Sequence, residues 1–112
     1  MASVYAERLE SIAERARLRR EDVARVVGAS PRTVARWAQG ESGPRAEARD
    51  RLLELSAVVN ELSKVVRAEA AEAWLFAPNP LLDFERPLDL VQQGDYRKVI
   101  AAIEGLADGV FV

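Results

Sequence analysis

Residues 20–40 read REDVARVVGASPRTVARWAQG, and this stretch decides the fold. Val23/Ala24 and Val27/Gly28 recur four apart, which places them on one helical face. Gly28 is a helix stop, because a residue without Cβ enters the left-handed region at little cost. Ser30-Pro31 starts a second helix: the serine hydroxyl suits the first free N–H groups, and the fixed φ of proline suits the first helical position. Val34 and Trp37, three apart, face the first helix and leave Arg32, Thr33 and Arg36 on the wet side. Ala24 is small where the two helices cross. Two short helices, a small-residue turn and a basic outer face predict a helix-turn-helix within residues 1–44. On DNA, Arg32 and Arg36 are the candidates for base edges, guanine above all. Arg20, Ser30, Thr33 and Gln39 are the candidates for phosphates.

Charge is distributed in agreement with that expectation. The 112-residue chain carries a net charge of −2. Residues 1–50 hold 10 Arg/Lys against 8 Asp/Glu, whereas residues 51–112 hold 6 against 10. Between Arg15 and Arg36 there are 7 arginines against Glu21 and Asp22 alone. Positive charge therefore concentrates where phosphates would lie, and the acidic half faces something else. The absence of Cys removes disulfides and thiolate metal sites, and the absence of His removes the commonest metal ligand and general base. The opening residues lack the apolar core of a signal peptide, and no run approaches a membrane span. A soluble, cytoplasmic, all-α protein is expected.

Working outward, Tyr5, Leu9, Ile12, Ala13 and Ala16 have helical spacing within 4–17, so an amphipathic first helix packs across the pair. Arg19 is a poor N-cap, so the second helix is expected to fray there. Glu21 and Asp22 complement the helix dipole rather than form an acid–base pair. Beyond the Gly40–Pro44 breaker, residues 45–67 form a long connecting helix. Leu52, Leu55, Val58/Val59, Leu62 and Val65/Val66 give it an apolar stripe too broad for a small N-terminal domain to cover, which predicts a homodimer through this helix. An Ala/Glu-rich run from Ala68 leads into Trp74-Leu75-Phe76, either continuing the long helix or restarting after a kink near Arg67. Pro78-Asn79-Pro80 ends it. A brief helix then runs from Arg86-Pro87 through Gln93 to a stop at Gly94. Asp95 is expected to cap a last helix from Tyr96 to about Ala107.

Residues 68–112 carry no catalytic constellation: no His or Cys, no Gly-rich phosphate loop, and carboxylates too scattered for a metal cage. No cofactor is expected, and the half reads as a binding module. Trp74, Phe76, Leu81, Leu82 and Phe84 crowd around two prolines in a segment too irregular to bury them all, which suits an interface. Trp74 and Leu75 equally suit the core. Asn79 is expected to brace the turn. Val110-Phe111-Val112 is either a frayed end or an insert for a partner's pocket, and insertion is favoured.

Trp74-Leu75, Pro78-Asn79, Leu82, Pro87, Leu90, Gly94 and Val99 together resemble the toxin-binding domain of Xre/MbcA/ParS-type antitoxins. With the preceding helix-turn-helix, the resemblance spans roughly residues 18–106. It implies a partner in a type II toxin–antitoxin pair, a RES-domain toxin that destroys NAD, which the antitoxin binds and blocks. It also implies repression of the shared operon through operator DNA. The toxin-binding candidates are Trp74, Phe76, Pro78, Asn79, Leu82, Phe84, Val110, Phe111 and Val112. The alternative from the residues themselves is a free-standing repressor whose C-terminal half serves dimerisation. An architectural DNA-associated adaptor is a third reading.

Overall fold

A computed structural model describes residues 3–109. Among these, seven α-helices and one 3₁₀ turn occur in the order α1 (Val4–Ala16), α2 (Arg20–Val27), α3 (Pro31–Ala38), α4 (Ala46–Ser63), α5 (Ala68–Phe76), the 3₁₀ turn (Pro80–Leu82), α6 (Pro87–Gln92) and α7 (Tyr96–Ala107). The only pairing outside helices among the described residues is an isolated antiparallel bridge between Asn79 and Glu85. The fold is all-α.

Local chemistry sets the helix boundaries. Ser3 caps α1 by accepting from the Ala6 N–H. Gly28 closes α2 with φ 78°, the left-handed value its lack of Cβ permits. Ser30 caps α3 through the Thr33 N–H at 3.1 Å, with Pro31 in the first turn. The N-terminus of α2 departs from expectation. Instead of fraying at Arg19, it is closed from inside the helix: the Asp22 carboxylate accepts from the Arg19 N–H at 2.9 Å. Asp22 thus supplies the carboxylate half of a capping box and is itself buried. Asp95 is a second correction. It occupies the N-cap position of α7, but its side chain accepts no capping hydrogen bond; the backbone carbonyl of Asp95 accepts from Lys98 instead.

The long apolar helix is shorter than its pattern. α4 stops at Ser63 and the chain restarts at Ala68, so Val65 lies beyond the helix and is exposed. The stripe does not await a second protomer. Leu52, Leu55, Val58, Val59 and Leu62 are all at most 1% exposed, covered by this chain's own α1, α2, α5, α6 and α7. The C-terminal helices supply the cover that the N-terminal ones lack, which removes the reason for a dimer through α4. At the centre lies α2, packed on α3 and also on α4 and α6, so Val26 is buried as well as Val23 and Val27. One continuous apolar cluster runs from Leu9 in α1 to Ile103 in α7. Ala13, assigned to the apolar face of α1, is exposed, and Tyr5 lies against Gly43 in the α3–α4 loop.

Candidate functional site

Two surfaces carry the residues singled out in the sequence. On the first, Val34 and Trp37 anchor α3 in the core, and the opposite face presents Arg32 and Arg36 to solvent. Neither is ion-paired among the described residues. Ser30 and Thr33 are engaged with each other, the Ser30 hydroxyl donating to Thr33 Oγ1 at 3.0 Å. Their first duty is therefore the helix cap. Gln39 sits exposed at the C-cap of α3, and Arg20 exposed at the first turn of α2. Arg20 also lines a groove of 320 Å³ between α1, α2 and α3, opposite Glu7 and Glu10.

The second surface is built around Asn79. Ala77 is extended and ends α5 before Pro78. The Asn79 side chain then accepts from the Leu81 N–H at 2.9 Å, its carbonyl accepts from Leu82 and Phe84, and its own N–H donates to Glu85. Four hydrogen bonds to one 8%-exposed residue close the turn, so Asn79 braces it as its position between two prolines suggests. The closure forces Asp83 and Phe84 into consecutive left-handed conformations, with φ of 54° and 66°. For a bulky aromatic this is an outlier costing on the order of 1–2 kcal/mol, which the braced turn must sustain.

The consequence is an aromatic side chain held in water. Phe84 is 69% exposed and Leu81 48%, while Leu82 points inward. Leu75 is core, whereas Trp74 and Phe76 pack against the core with part of each ring accessible. Pro78 is exposed. Leu81 and Leu82 form one wall of a 350 Å³ groove whose other wall is α7, with Lys98, Ala101 and Gly105 along it and Asp83 and Glu85 at the rim. Sequence reasoning grouped Leu81 with the interface residues, without naming it among the toxin-binding candidates, and passed over the α7 wall. The available signal was Ala101 and Gly105, two small residues four apart on an otherwise well-packed helix. Val110, Phe111 and Val112 lie outside the described residues. Among the described residues no group of acidic side chains is placed to hold a metal ion.

An all-helical chain with a basic two-helix face and a strained, braced aromatic turn has close counterparts among known proteins. It is 42% identical over 110 residues to the mycobacterial cidal antitoxin MbcA of Mycobacterium bovis and of Mycobacterium tuberculosis, covering 98% of this chain and 97% of theirs. It is 40% identical over 91 residues to a probable mycobacterial cidal antitoxin of Mycobacterium tuberculosis, covering 81% and 77%. A chain in the crystal structure of the M. tuberculosis MbcT–MbcA toxin–antitoxin complex superposes with a TM-score of 0.88 at 42% identity, over 98% of this chain and 99% of that one. No family-level profile matches. The class these features define is the antitoxin of a toxin–antitoxin system. Within that class, the chain belongs to the MbcA antitoxin family.

Proposed function

We propose that this chain binds and blocks an NAD-degrading RES-domain toxin and represses its own operon through a helix-turn-helix formed by α2 and α3. The observation that carries the first part is the likeness to MbcA over nearly the whole length of both chains, 42% in sequence and 0.88 in TM-score, MbcA having been solved in complex with the toxin MbcT. The C-terminal half, residues 68–112, is the toxin-facing module. Phe84, with Pro78 and the accessible edges of Trp74 and Phe76, makes the contact. Asn79 and Leu82, both buried, hold that surface in shape. Exposed aromatics beside rigid prolines suit such a role because they bury large area at little further loss of entropy. Val110-Phe111-Val112 enters the toxin's cleft as an apolar plug.

The operator half of the proposal rests on Arg32 and Arg36, exposed on α3, with Arg20, Ser30, Thr33 and Gln39 toward phosphates. The protein binds operator DNA as a homodimer, with recognition helices about 34 Å apart in successive major grooves. That dimer uses a surface other than the α4 stripe, which is filled from within the chain.

The test is NAD level and survival in cells expressing the neighbouring gene product, with and without this chain. Collapse of NAD that the chain reverses is the expected outcome. A harmless neighbour, or harm that this chain leaves untouched, refutes the toxin-blocking role. Chains ending at Asp108 test the plug: neutralisation that survives the truncation removes it.

A further inference from the structure

The flank of α1 turned away from α3 carries a second basic feature. Arg8, Ser11 and Arg15 lie on that flank, facing Ser56 and Asn60 of α4 across a groove of 460 Å³. An adjoining groove of 700 Å³ shares Arg15 and Asn60 and continues past Ser63 and Lys64 to Arg67 at the start of α5. Arg8 donates to Ser56 Oγ at 3.3 Å and Arg15 to Asn60 Oδ1 at 2.6 Å. Both guanidinium groups are therefore oriented by uncharged oxygens, and neither is ion-paired among the described residues. Glu7 and Glu14 line the two grooves, and Lys64 is tied to Glu61 at 3.1 Å. With Lys64 paired, Arg8, Arg15 and Arg67 against Glu7 and Glu14 leave the lining net positive by one charge.

We propose that this α1/α4 groove binds phosphate groups, at a site separate from the α3 face. Arginines positioned by neutral partners keep their charge and several N–H donors for a ligand. Arg8 and Arg15 are seven residues apart, roughly 10.5 Å along α1, so the site is a track rather than a point. Its floor is hydroxyl and amide, and its apolar members, Val4, Val66 and Ala68, are confined to its ends. A protein partner needs an apolar centre to bury, which this track lacks, whereas a solvated phosphate chain needs only charge and donors. The phosphates come from a nucleic-acid backbone or from a free nucleotide.

The experiment uses the full chain carrying Arg32→Gln and Arg36→Gln, so that binding through α3 does not contribute. The two probes are a 20-base-pair duplex of random sequence and ATP. Adding Arg8→Gln and Arg15→Gln is expected to lower the slope of log affinity against log salt for the duplex by about 1.8, two phosphates at about 0.9 each. If the source is a free nucleotide, the same pair weakens ATP by about tenfold per arginine. Thermal unfolding checks that the Gln variants remain folded, and Arg8→Lys with Arg15→Lys retains binding because phosphate accepts a point charge. Duplex and ATP binding both indifferent to Arg8 and Arg15 overturns the proposal. So does a dependence on these arginines seen with polyglutamate alone, which would mark the groove as a site for acidic protein.

Discussion

Replacing Asn79 with alanine tests whether the turn between α5 and α6 is held by one side chain. The change removes the acceptor for the part-buried Leu81 N–H but leaves the backbone bonds of residue 79 to Leu82, Phe84 and Glu85 available. An N–H deprived of its partner in a partly buried place costs about 1–2 kcal/mol, the lower part of the range for buried groups. For a domain of this size that is a fall in melting temperature of roughly 4–10 °C. The left-handed pair at Asp83 and Phe84 depends on the same closure. Once it loosens, the presented conformation of Phe84 is only fractionally populated and toxin affinity falls in proportion, to about tenfold weaker for 1.4 kcal/mol. Asn79→Ser keeps a shorter acceptor and should recover about half of the lost melting temperature. Circular dichroism melts and capture by the cognate toxin give the two readouts. An alanine variant that melts within about 1 °C of the parent and binds toxin within about twofold would refute the brace.

Four further outcomes are expected. Arg36→Ala abolishes operator binding in a gel shift while toxin neutralisation survives; loss of both would mean the two faces are inseparable. Phe84→Ala weakens toxin binding by at least about tenfold, a hot-spot loss, yet leaves stability close to that of the parent because the ring is 69% exposed and alanine keeps the Cβ that opposes the left-handed backbone. Leu55→Ala, at a position 0% exposed, costs about 2–5 kcal/mol in denaturant unfolding, whether or not any second protomer is present. Glu69 has its carboxyl held below the ordinary 4.5 by a hydrogen bond to its own backbone N–H, and then by Arg17. A depressed folded value means this contribution is present above the ordinary carboxylate range and is lost as pH falls through the depressed one. Glu69→Gln should therefore flatten the acid limb of a melting-temperature-against-pH curve, and an unchanged limb would count against the contact.

The helices were legible because their boundaries are local chemistry. Ser30-Pro31, Gly28 and the Pro78–Pro80 run act within a turn of where they stand, so one reading along the chain finds them. The MbcA resemblance was legible for the same reason, as a spaced set from Trp74 to Val99. The two caps read wrongly show the limit of that method. Arg19 is a poor cap by residue type, but Asp22 three positions on supplies the bond, and Asp95 is a good cap by type whose side chain makes none.

Sequence by itself determined the all-helical class, the paired helices with arginines on the outer face, and the chain breaks at Gly28, at Gly40–Pro44 and at Pro78–Pro80. Each follows from periodicity, capping or proline geometry, whose range is about one helical turn. Tertiary structure alone decided what covers the α4 stripe, because an apolar face records that it is buried and not by what. Five other helices of the same chain fill it, where the pattern had suggested a second protomer. It also decided that Leu82 turns inward while Phe84 stands in water, since adjacent apolar residues in an irregular turn carry no period to sort them. The sorting comes from the closure around Asn79, whose bonds from Leu81 to Glu85 drive Phe84 into a left-handed backbone it would not choose alone. Arg8 and Arg15 became a pair only when α4 brought Ser56 and Asn60 beside them, 48 and 45 residues further along the chain.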